Sequence, residues 1–190
     1  MRLWLLAGPL LLVACAGAPR QADTPPPRDS LQSFILEARF ALRTERPNEP
    51  PQSAAGRLSW RHGDGTDHVL LATPLGQGLA EVTVSTGGAE LIGSDGKLRR
   101  SRDGAALLRE ATGYDLPLER LPAWLLGRPS PAGSVARDGA GRPRSLREDG
   151  WRIDYDYESD AADAPPSRVT VRRDSELELR LRIEEWRRHD

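Results

Sequence analysis

The sequence predicts a mainly β, α+β fold: a curved antiparallel sheet with a cap of two short helices. Three observations carry this expectation. Apolar residues recur at every second position over many short segments, turn sequences separate those segments, and a single stretch switches to helical spacing. Phe34, Leu36, Ala38, Phe40 and Leu42 alternate with Glu37, Arg39 and Ala41. Leu58 and Trp60 alternate with Arg57, Ser59 and Arg61. Shorter runs cover 68–72, 79–84, 89–92 and 97–101. His62-Gly63-Asp64-Gly65, Thr86-Gly87-Gly88 and Ser94-Asp95-Gly96 supply hairpin turns between them. Asp103 then caps a helix to about Thr112, with Gly113 as its stop. A second helix places Leu118, Leu121, Trp124 and Leu125 on one stripe before Gly127. Beyond it lie runs at 144–148, 151–157, 167–173 and 177–184, the first two joined by Asp149-Gly150. Six strands, two helices and four strands make an antiparallel sheet with helices on one face or across its opening.

The start of the chain has a different character. Met1-Arg2 precedes an apolar run from Leu3 to Ala14, too short to span a bilayer, as in a secretory signal. Leu12-Val13-Ala14-Cys15 resembles a bacterial lipobox, which implies cleavage before Cys15 and acylation of that cysteine. Cys15 is the chain's one cysteine, so no disulfide forms within it. By analogy, Ala16 directs the lipoprotein to the outer membrane, facing the periplasm. Residues 15–30 are expected to form a lipidated cysteine and Pro-rich tether, and 31–190 the folded domain.

Composition narrows the function. With 27 Lys and Arg against 28 Asp and Glu, the net charge of −1 argues against nucleic acid as a partner. Catalytic patterns are thin. His62 and His68, with Asp64 and Asp67 between them, read as turn residues before they read as metal ligands. Ser59 lies in no nucleophile elbow, and Asp154, Asp156 and Glu158 read as a solvated strand face. Gly87-Gly88 and Gly139-Ala140-Gly141 lack the strand-to-helix setting of a phosphate loop. No enzyme and no cofactor are expected. From pattern alone, the inward Leu, Val and Ala residues read as a solid core before they read as a ligand cavity.

Four motifs shift that balance. Gly56-Arg57-Leu58-Ser59-Trp60, Thr73-Pro74-Leu75-Gly76-Gln77, Leu121-Pro122-Ala123-Trp124-Leu125-Leu126-Gly127-Arg128-Pro129 and Asp149-Gly150-Trp151 occur in this order. With a final strand ending at Trp186, they resemble the outer-membrane lipoprotein receptor family LolB from about residue 34 to 187. Residues 43–55 and 130–146 match less well and are expected to be variable loops. The resemblance implies a half-open antiparallel barrel whose helices cap a hydrophobic cavity. It implies a receptor that accepts lipoproteins from the periplasmic carrier LolA and inserts them into the inner leaflet of the outer membrane. Its partners would be LolA, the acyl chains of the cargo and outer-membrane phospholipid, and its expected form is a monomer. Leu75, between Pro74 and Gly76, matches the family's exposed apolar loop residue, and the three would form a membrane-insertion loop. Inward side chains Phe40, Leu58, Trp60, Leu71 and Leu91 would line the cavity, with Trp124 and Leu125 from the cap. The alternatives are another lipid-anchored module for hydrophobic ligands and, less favoured, an envelope hydrolase.

Overall fold

Eleven strands build one antiparallel sheet in the computed structural model, which describes residues 24–45, 48, 50–112, 116–174 and 176–189. They are β1 (Phe34–Thr44), β2 (Gln52–Gly63), β3 (Thr66–Ala72), β4 (Gly78–Ser85), β5 (Gly88–Gly93) and β6 (Leu98–Ser101), then β7 (Ser134–Arg137), β8 (Pro143–Glu148), β9 (Trp151–Asp156), β10 (Arg168–Arg173) and β11 (Leu177–Arg188). Their spatial order is 6-5-4-3-2-1-11-10-9-8-7, two meanders joined where β1 pairs with β11. β6 and β7 are the two edges, so the sheet is not closed. Asp64-Gly65 and Asp149-Gly150 make two of the hairpin turns, all four residues at positive φ as a type I′ turn requires.

The count corrects the expected ten strands, because five rather than four follow the helices. β7 lies inside the stretch expected to be a variable loop. Its sequence, Ser-Val-Ala-Arg, has a single large apolar residue, and only pairing with β8 makes it a strand. β2 likewise begins at Gln52, inside the other expected loop, because Gln52–Ala55 pair with Ala41–Thr44 of β1.

One face of the sheet carries the core. Phe34, Leu36 and Leu42 of β1 pack with Leu58 and Trp60, Val82, Leu91, Ile153, Val169, Val171, Leu179 and Leu181 from neighbouring strands. Trp186 joins them out of phase with Leu177–Ile183. A register shift explains this: Ala38 pairs with Ile183 and Glu37 with Glu185, leaving Glu184 as an extra residue. This β-bulge turns the last segment of β11 so that an even-numbered residue points inward. The Trp186 indole N–H donates to the Pro166 carbonyl at 2.8 Å.

Two helices follow β6. In α1 (Gly104–Thr112), Asp103 Oδ1 accepts from the Ala106 amide at 2.9 Å, the expected cap. The expected stop, Gly113, lies outside the described residues. α1 packs on β5 and β6, with Leu107 buried. The second helix, α2 (Leu121–Leu125), buries Leu121, Pro122, Trp124 and Leu125.

The residues expected to act as tether also need revision at their end. Arg28–Ser30 form a 3-10 turn, and Leu31 is fully buried. The Arg28 amide donates to the Asp163 carbonyl at 2.7 Å. Arg128 donates from its guanidinium to the carbonyls of Leu31 at 3.0 Å and Arg28 at 3.1 Å. Proline-rich composition hides this, because the docking is made by backbone carbonyls rather than by a periodic apolar pattern. Residues 1–23, with Cys15, lie outside the described residues.

Candidate functional site

Two features answer to the predicted site residues: a rigid loop tip and a roofed apolar face. The tip joins β3 to β4. The Gly76 amide donates to the Thr73 carbonyl at 2.9 Å, and the Thr73 amide donates to the Gln77 carbonyl at 2.8 Å. The Thr73 hydroxyl accepts from the Gln77 amide at 3.1 Å. Pro74 fixes φ at the second position of this turn, and Gly76 closes it at φ 89°. The turn is therefore locked from both ends, and it holds Leu75 98% exposed. A fixed leucine in full contact with solvent gains nothing for folding.

The second feature lies on the buried face of the sheet. Leu58, Trp60 and Leu91 are buried, and so are Trp124 and Leu125 of α2. Phe40 and Leu71 are partly buried and pack against the same cluster. Register explains the convergence: Leu58 pairs with Ala38 and Leu71, and Trp60 pairs with Leu36 and Val69. Phe40 faces Gly56, where an added Cβ would stand 2.9 Å from the Phe40 ring and 2.1 Å from the Ala72 carbonyl oxygen. Gly56 thus leaves room for the Phe40 ring to lie across β2. All seven predicted lining residues share one apolar cluster.

The cap is fastened to β8 and β9. The Trp124 ring stands 5.7 Å from that of Trp151, which directly follows the Asp149-Gly150 turn. Tyr155 donates its hydroxyl to the Trp124 carbonyl at 2.5 Å, and burial pushes the phenol far above its ordinary pKa. Gly127 ends α2 at φ 68°, and an added Cβ there would fall 2.3 Å from Pro143 Cγ.

Sequence reasoning missed the polar part of this fastening. Glu148, at the inward-facing end of β8, is buried; its carboxylate accepts from Arg120 Nε and from the Ser130 amide, each at 2.7 Å. Arg120 precedes α2 and Ser130 follows it, so one carboxylate ties down both ends of the cap. Burial raises the Glu148 pKa, but the Ser130 amide, Trp124 and Arg120 outweigh it and hold the group below its ordinary range. The signal was present as a charged residue at an inward position two beyond Leu146.

His62 has a structural partner rather than a place in a ligand cluster. His62 Nδ1 lies 2.7 Å from Asp67 Oδ1, and the same oxygen accepts from the Trp60 indole at 2.7 Å. Among the described residues, no three His, Cys, Asp or Glu side chains gather as a metal site would need. A groove of about 1160 Å³ is lined by Pro25–Pro27, Glu37 and Glu184–Arg188, away from the seven predicted lining residues.

An unclosed antiparallel sheet with a helical roof and a projecting apolar loop defines a structural class built around one apolar face. Residues 32–186 match the sequence model of the outer membrane lipoprotein LolB family. An outer-membrane lipoprotein LolB of Dechloromonas aromatica is 47% identical over 187 residues, 98% of this chain and 97% of that one. The LolB of Thiobacillus denitrificans is 38% identical, covering 96% of this chain and 92% of its own. That of Azoarcus sp. is 35% identical, covering 93% and 89%. This chain belongs to the LolB family. Among solved structures, a LolA superfamily protein from Nitrosomonas europaea aligns with TM-score 0.47 and 10% identity over 82% of this chain and 86% of that one.

Proposed function

We propose that this outer-membrane lipoprotein accepts mature lipoproteins from a LolA-type periplasmic carrier and releases them into the inner leaflet of the outer membrane. Cys15, acylated, is its anchor. The transfer makes and breaks no covalent bond; acyl chains pass between apolar surroundings of differing affinity. The observation that carries the reading is the pairing of an apolar face under a fastened helical cap with Leu75, held fully exposed on a locked turn.

The cap sets the binding step. Trp124 and Leu125 belong to the same apolar cluster as Leu58, Trp60 and Leu91. Acyl chains are received against that cluster, with Trp124 and Leu125 forming part of the apolar surface they contact. Leu75 serves the release step, since its turn can enter the acyl region of a bilayer while the core stays packed. Organic-solvent extraction of the purified protein, after incubation with carrier loaded with a labelled lipoprotein, tests the first step. Label recovered on this protein supports the reading. Label retained by the carrier at saturating amounts of this protein would overturn it.

A further inference from the structure

Among the described residues, the large apolar side chains with substantial exposure all lie in one region. They are Leu70 of β3, Leu75 at the loop tip, Leu79 of β4, Ile92 of β5 and Leu98 of β6. Apart from Leu75, their exposures run from 38% to 47%. The outer face of an antiparallel sheet is ordinarily polar, and a contiguous apolar patch there marks a contact surface. Strand register places these residues on four neighbouring strands. Leu70 pairs with Glu81, Glu81 with Ile92, and Ile92 with Leu98. Leu79, the extra residue where the β3–β4 register shifts, lies one step nearer the Leu75 loop and is itself exposed. Exposed apolar residues therefore recur in a band from β3 to β6, with Glu81 standing in the row between Leu70 and Ile92. Because alternate strands are antiparallel, the Leu75 loop and the β5–β6 turn lie at the same end of the sheet. Two cations flank the band: Arg57, paired across β2 and β3 with Ala72, and Lys97 in the β5–β6 turn. Both are exposed, and neither makes an ion pair among the described residues.

We propose that this band and the Leu75 tip together form a seat for an anionic phospholipid bilayer. The inference rests on the reading of Leu75 as a bilayer contact and extends it from a point to a surface. A bilayer suits the geometry: the band lies on the outer face of the sheet rather than in a groove, it ends in a projecting apolar tip, and cations stand where headgroup phosphates would meet them. The seat has a consequence for release. Leu98 lies on β6, an edge of the unclosed sheet. Seating the band brings that open edge, with the roofed apolar face behind it, next to the acyl layer that receives the cargo.

The test uses the full-length acylated protein reconstituted into phosphatidylethanolamine vesicles containing phosphatidylglycerol. With Cys15 acylated, the variants Leu75→Cys, Ile92→Cys, Leu98→Cys and Arg168→Cys each carry one free thiol for an environment-sensitive fluorophore. Nitroxide-labelled acyl chains should quench the probe at positions 75, 92 and 98, and not at 168 on the outer face of β10. Omitting phosphatidylglycerol should weaken the seating read at 92 and 98 by about thirtyfold. Quenching at 75 alone would overturn the seat and leave the Leu75 reading standing. No quenching at 75 would overturn both. Equal quenching without phosphatidylglycerol would overturn the part given to Arg57 and Lys97. Probes at 92 and 98 shielded by the soluble carrier but not quenched by lipid would overturn the seat in favour of a protein-docking surface.

Discussion

Replacing Trp124 by Ala removes the centre of the cap. The indole is 1% exposed, its ring stands 5.7 Å from Trp151, and the backbone carbonyl of the same residue accepts from buried Tyr155. Loss of a fully buried tryptophan costs about 3–5 kcal/mol, and the tilted aromatic pair with Trp151 belongs to the interactions worth about 0.5–1.5 kcal/mol beyond area alone. The variant should therefore fall within that range, near 4 kcal/mol. In a domain of this size such a loss lowers Tm by roughly 8–16 °C. Urea unfolding followed by Trp fluorescence and far-UV circular dichroism measures it, with an unchanged m-value showing that the two end states are comparable. A cost below about 1.5 kcal/mol would refute full packing of the indole and with it the described seating of α2. The same variant should weaken binding of a fluorescent fatty acid, since Trp124 belongs to the apolar surface that cargo would share.

Other outcomes follow from the same contacts. Glu148→Gln should lower stability at neutral pH by about 1–3 kcal/mol, because two charge-assisted hydrogen bonds to the cap weaken. The Glu148 pKa is lower folded than its ordinary 4.5, so its contribution is complete above that value and is lost as pH falls below it. The stability gap between wild type and Glu148→Gln, measured by urea titration, should accordingly shrink below pH 4.5 and stay constant above it. Gly127→Ala and Gly76→Ala both place a side chain at positive φ, a strain of about 1–2 kcal/mol. Only Gly127→Ala should cost clearly more, because its Cβ would overlap Pro143 while nothing lies within 4 Å at Gly76. Metabolic labelling with a fatty acid should mark the wild-type protein and leave Cys15→Ala unlabelled; label persisting on the variant would place the acyl group elsewhere.

Much of this architecture was legible in the sequence. Strands such as Phe34–Leu42 and Trp151–Tyr155 announce themselves because one face is apolar at every second position, and the Asp-Gly pairs fix their turns. β7 and the start of β2 were not legible, because neighbouring strands rather than their own side chains impose the conformation. The inward setting of Trp186 depends on the bulge at Glu184, which residue alternation does not announce. The site divides the same way. Leu75 is plain in the sequence as a leucine between proline and glycine, while the locked geometry of its turn is not. The fastening of the cap escaped altogether, since Glu148, Arg120 and Ser130 lie far apart in the chain. Arg128 escaped as well, because it binds backbone carbonyls that leave no mark on residue type.

The central claim is that binding and release use separate parts of the molecule, and Leu75→Glu tests it most directly. The side chain touches no core residue, so the variant should fold normally and accept a labelled lipoprotein from the carrier at the wild-type rate. A carboxylate resists entry into an apolar layer, so transfer of that lipoprotein into liposomes should fail, with Leu75→Ala intermediate and Leu75→Phe close to wild type. A two-stage assay reads both steps on one sample. Acceptance intact with release lost is the predicted result; normal release by Leu75→Glu, or loss of acceptance alone, would contradict it.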